Sequence, residues 1–291
     1  MMTLFKNKYG EIRSGWSIAA VIIIMVFGQV AGGALASGID ESNLVAKTAI
    51  TLLYGVITIG GSLVLFKWIY KRTPVQMGLI PKGWFTGLLY GLGIGAVSIA
   101  VVFLTLLLTG QATVVSVDAS RLLSIAVVAE LFSVGIFMSS EEIAFRGYVM
   151  TALKTTRNKW VVVLLSSLIF ASLHLTTPGI DALTFANVFL VGVLLAYMFV
   201  KSGKLWLSIG FHIAWNFLEG DIFGMNVSGN EQAAMFTTKM GTNELLTGGV
   251  AGPEGGIITT IIMVLALVYV HFCIREPVHA AWSIEGDLPL I

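Results

Sequence analysis

Apolar stretches of about 18 residues or more recur along this 291-residue chain, and a helix of that length crosses a hydrocarbon core of about 30 Å. Nothing else in the sequence limits the fold so strongly. Composition agrees: 56% of residues are hydrophobic, 11% are charged, and the mean hydropathy is +0.90, far from a soluble domain of this length. The chain is an integral membrane protein. Eight spans are expected: Trp16 to Ala36, Ala49 to Phe66, Trp84 to Thr109, Leu122 to about Leu153, Trp160 to His174, Leu183 to Val200, Leu205 to Leu218 and Ile257 to Ile274. The expected fold is therefore all-α, a polytopic bundle of about eight transmembrane helices forming one integral-membrane domain over residues 1–291. The first apolar run is too long for a signal-peptide core and lacks a small-residue cleavage site, so no cleavable signal is expected.

Basic residues collect on the cytoplasmic side of short loops, which tests an even number of spans with both termini inside. On that arrangement only Lys47, Arg121 and Lys239 fall outside, leaving 14 of the 17 Lys and Arg inside, Lys8 among them. The outer segments are acidic, with Asp40, Glu41, Asp118, Asp181, Glu219, Asp221, Glu231, Glu244 and Glu254. The formal net charge of +1 conceals this asymmetry, which is a topology signal and gives no reason to expect nucleic acid. The expected location is a bacterial plasma membrane, with the lipid bilayer as the surrounding partner.

A single cysteine, Cys273, excludes an internal disulfide and any thiol-based zinc site, and it reads as lipid-facing packing. The segment from Gly220 to Gly256, rich in Gly, Asn, Ser and Thr, joins the last two spans outside; it could cover a cavity or be a disordered connector. Gly87, Gly91 and Gly95 recur at the four-residue spacing that lets two membrane helices approach closely. His271 and His279 lie near the inner end of the last span, where solvated histidines need no further role.

The polar exceptions sit in the fourth, fifth and seventh spans. In "FMSSEEIAFRGYVM", Phe137 to Met150, Glu142 and Arg146 are four apart and share a helical face, so they can form an ion pair. Glu141 points about 100° away and has no such partner, so it must face protein, water or a reactant. "IFASLHL" places Phe170 and His174 four apart, and "LSIGFHIAWNF" does the same for His212 and Asn216. At about 1.5 Å per residue, Glu141 lies about 20 Å from the basic turn at Lys154, His174 about 22 Å above Lys159, and His212 and Asn216 about 12 and 18 Å above Lys204. With ordinary tilts these side chains meet in one layer. Glu130 returns to within about 20° of the Glu141 face and could line an entry path or bond to a neighbouring helix.

This set resembles the CPBP intramembrane proteases, named for CAAX proteases and bacteriocin-processing enzymes, also called Abi proteins and including the Rce1-type prenyl-protein peptidases. The family pattern is EExxxR, FxxxH, then HxxxN or HxxxD. The chain matches it in order with Glu141, Glu142 and Arg146, then Phe170 and His174, then His212 and Asn216, within residues 129–218. The resemblance implies that Glu141 and His174 activate a water, that His212 and Asn216 hold an oxyanion, and that Glu142 and Arg146 brace the site. It implies as partner a membrane-associated peptide or protein, such as a prenylated or leader peptide. It also leaves zinc open as a cofactor, because a carboxylate and two histidines, Glu141, His174 and His212, could hold that ion with one position left for water. Rival classes are a transporter, which would more often show repeat symmetry, and a non-proteolytic scaffold or regulator of the same fold.

Overall fold

The structure is a computed structural model, and it describes residues 4–6, 12–37, 39 and 43–275. Lys8, Asp40, Glu41 and His279 lie outside the described residues. Every expected span has a helix. These are α1 (Ser14–Ala36), α2 (Leu44–Tyr70), α3 (Trp84–Leu108), α4 (Ile125–Glu142), α6 (Lys159–Leu173), α7 (Ala182–Ser202), α8 (Trp206–Phe217) and α10 (Ile257–Cys273), with two one-turn helices, α5 (Met150–Leu153) and α9 (Glu244–Thr247).

By length and apolarity α1, α2, α3 and α7 can each cross a membrane. The helices α6 and α10 are shorter apolar helices, and α8 has 12 residues. The shorter elements include two that carry the polar motifs, α6 and α8. The fourth span starts later than the composition suggests, because Ala119–Leu123 forms a 3-10 turn and the Ser124 hydroxyl caps α4 by accepting from the Val127 N–H at 3.3 Å. From Glu142 the helical backbone continues through a π-helical stretch, Ile143–Val149, into α5.

The helices α3 and α8 approach backbone to backbone, and the glycines explain it. A Cβ on Gly91 would stand 2.1 Å from the Leu207 carbonyl oxygen, and one on Gly95 would stand 2.5 Å from that of Phe211. The contact is reciprocal: a Cβ on Gly210 would meet the Leu88 carbonyl oxygen at 2.2 Å. Backbones in such contact tolerate no side chain. Gly91→Ala is therefore expected to cost about 1–3 kcal/mol by overpacking and to lower the midpoint of thermal unfolding in detergent. Gly93→Ala, where nothing lies within 4 Å of the added carbon, should not. Equal midpoints for the two variants would refute the packing role.

The segment from Gly220 to Gly256 carries regular structure and packs against the helices. Within it β2 (Phe236–Met240) pairs antiparallel with β1 (Ala112–Val117), a small ribbon that the all-helical expectation did not include. Phe223 stacks on Phe103 with centroids 4.4 Å apart, joining the segment to α3. The other end is held by Asn187 of α7, whose Nδ2 donates to the carbonyls of Glu254 at 2.8 Å and Gly256 at 2.9 Å. At the opposite face His271 is paired, its Nδ1 lying 2.8 Å from the Tyr197 hydroxyl. Cys273 is exposed, as lipid-facing packing requires.

Candidate active site

The two adjacent glutamates at the end of α4 part company. Glu142 is fully buried, and its Oε1 accepts from Arg146 Nη1 at 2.8 Å and from His212 Nδ1 at 2.9 Å. Arg146, also buried, donates from Nη2 to the Gly192 carbonyl at 3.2 Å and lays its guanidinium 4.6 Å from the Phe170 ring centroid. One ion pair thus ties α4 and the π-helical stretch to α6, α7 and α8. A buried arginine is tolerable only when its charge and N–H groups are met in this way. The helical spacing anticipated the Glu142–Arg146 pair; it did not reveal that His212 joins it.

Glu141 turns to a cavity of about 940 Å³. Among the described residues no hydrogen bond reaches its carboxylate, and its Oε2 stands 3.9 Å from His212 Nε2, too far for one. Phe170, His174, His212 and Asn216 line the same cavity, whereas Glu142 and Arg146 lie behind its wall. Sequence motifs 75 residues apart (216 minus 141) therefore converge on one space.

His174, His212 and Asn216 are each oriented by a further contact. His174 caps α6, and its Nδ1 donates to the Phe170 carbonyl at 2.9 Å, so in the neutral ring Nε2 keeps its lone pair. The Glu142 carboxylate does the same for His212, since a carboxylate can only accept and Nδ1 must carry the proton. The Asn216 Nδ2 donates to the His212 carbonyl at 3.0 Å, which uses one of its two N–H bonds and leaves the other for a ligand.

Two imidazoles with carbonyl- or carboxylate-bound Nδ1–H groups have the chemistry of zinc ligands. The geometry does not match it: among the described residues no three His, Cys, Asp or Glu side chains are grouped closely enough to hold an ion, so Glu141, His174 and His212 do not fit zinc as placed.

Glu130 is paired, not with a neighbouring helix but with the 3-10 turn that precedes its own. Arg121 Nη2 reaches its two carboxylate oxygens at 2.6 and 2.8 Å, and the pair lines the cavity together with Asp221. Gln29, Ser133 and Asp221 also border the cavity; none of them had a site role from sequence, and Asp221 was placed only among the acidic residues of the outer loop. Gln29 had a signal, being an uncharged polar residue within an apolar span. Asp221 had none, because a helix continuing through a π turn, Leu218–Ile222, into a polar loop looks like the loop itself.

Among curated proteins and among solved structures, nothing matches the chain. A protein-family model does: residues 119–218, about a third of the chain and the stretch that holds all three motifs, match the Rce1-like family, type II CAAX prenyl endopeptidase Rce1-like.

Proposed function

We propose that this protein is an intramembrane endopeptidase that hydrolyses a peptide bond of a membrane-associated peptide or protein, with Glu141 as general base. The reading is carried by one observation: a carboxylate without a hydrogen bond faces a cavity that it shares with two Nδ1-anchored histidines and an asparagine with an N–H to spare. The family match supports a CAAX-type peptidase.

A water held between Glu141 and His174 Nε2 gives a proton to Glu141 as its oxygen attacks the peptide carbonyl carbon. The carbonyl π pair moves to oxygen, and the tetrahedral oxyanion accepts from the remaining Asn216 N–H. His212, whose Nδ1–H is held by Glu142, would reach it through Nε2, and can donate from there only as the doubly protonated ring. Collapse re-forms the carbonyl, breaks the C–N bond and takes the proton from Glu141 to the departing amine. One water is consumed, and Glu141 ends as it began.

The oxyanion role makes a separable prediction. Asn216→Ala is expected to lower kcat by about 10²–10³, the usual cost of one oxyanion donor, with little change in substrate affinity. The experiment is reconstitution in lipid with a panel of membrane-anchored peptides, followed by measurement of kcat and of peptide binding for wild type and variant. An unchanged kcat would remove Asn216 from the mechanism. His174→Ala combined with Glu141→Gln should cost far less than the product of the single effects, because residues acting on one water act as a unit.

A further inference from the structure

The cavity has an address as well as a chemistry. Its wall includes Thr177 from the loop between α6 and α7, and Ser228 and Gln232 from the built segment after α8. Its cations are Lys47 and Arg121, two of the three basic residues that the charge distribution assigns to the outside. Among the described residues, none of the basic residues assigned to the inside lines it. The lining loops show which end of the bundle the cavity meets, and the charge sorting says that this end is the outer one.

The opposite direction is closed. Inward from Glu141 the chain packs Phe145, Tyr148, Phe66 and Met77, all essentially without exposed surface. Tyr148 stands edge-on to Phe66 at 6.1 Å, and its hydroxyl lies 2.9 Å from Ser17 Oγ. A Cβ on Gly147 would already meet the Met77 side chain at 2.6 Å. Packing at this density leaves no passage for a peptide.

We infer that the cavity is entered from the extracytoplasmic face, so that its substrate is an outward-facing segment of a membrane-anchored or exported protein rather than a cytoplasmic prenylated C-terminus. The face of entry stands on geometry and charge; the word substrate rests on the proposed peptidase function. The segment 220–256 then lies where an incoming chain must pass. Gly229 packs there on the α6–α7 loop, where a Cβ would stand 2.7 Å from the Pro178 ring.

The test separates the two claims. In a Cys273→Ser background, which removes the native thiol, Ser133→Cys places a thiol on the cavity wall and Lys82→Cys one on the inner loop. A membrane-impermeant maleimide added to intact cells should label the cavity thiol fully and the Lys82→Cys thiol only after permeabilisation. A cavity thiol labelled only after permeabilisation, or not at all, overturns the inference. This result does not depend on catalysis. Cleavage sites lost from cells when wild type is replaced by Glu141→Gln should then map to outer segments of membrane or exported proteins. Sites in cytoplasmic tails would overturn the substrate class, and the absence of any lost site would count against the peptidase function while leaving the entry face decided by labelling.

Discussion

Glu141→Gln is expected to reduce peptide hydrolysis by about 10²–10⁴, the usual contribution of a positioned general base. Gln has nearly the same shape, so insertion and peptide binding should persist. The expectation is sharp because Glu141 has no structural duty to confound it: its carboxylate receives no hydrogen bond among the described residues, and the burden of bracing falls on Glu142. A variant that lost both folding and activity would show instead that Glu141 holds the helices together.

Arg146→Ala is expected to act by the other route. Removing the arginine leaves the Glu142 carboxylate fully buried without its ion-pair partner and takes a donor from the Gly192 carbonyl. Breaking one member of such a pair typically costs about 3–5 kcal/mol, a large share of the stability of a protein. The yield of monodisperse protein and the thermal midpoint in detergent should both fall, and activity with them, since His212 loses its oriented partner. Arg146→Lys should recover part of the loss by restoring charge without the two-pronged geometry. If yield, midpoint and activity all stay at wild-type values in Arg146→Ala, the bracing role is wrong.

The contrast between the two neighbouring glutamates was legible in the sequence, because a four-residue spacing gave Glu142 a partner and left Glu141 without one. The eight helices were legible for a related reason: membrane spans are written as long runs of one chemistry, and loops as breaks in it. What could not be read was anything set by contacts between distant segments. The bond from His212 to Glu142 joins residues 70 positions apart and depends on how α8 rotates against α4. On another side α8 packs against α3 along a glycine seam, of which only the α3 half was conspicuous. The β1–β2 ribbon was hidden because strands of six and five residues, with a register irregularity between Val114 and Ser116, leave too short a pattern against an apolar background. The π-helical stretch through Arg146 has no side-chain signature of its own.

The most direct test of the account is the turnover of one defined membrane-anchored peptide by purified wild type and Glu141→Gln in lipid, each in metal-free buffer with a strong chelator. The account predicts that the wild type keeps its activity in chelator and that Glu141→Gln loses at least about 10² of it. Cleavage by Glu141→Gln at the wild-type rate would contradict the assignment of the general base. Loss of wild-type activity that is specific to the chelator and restored by zinc would show that a metal, and not this carboxylate alone, activates the water.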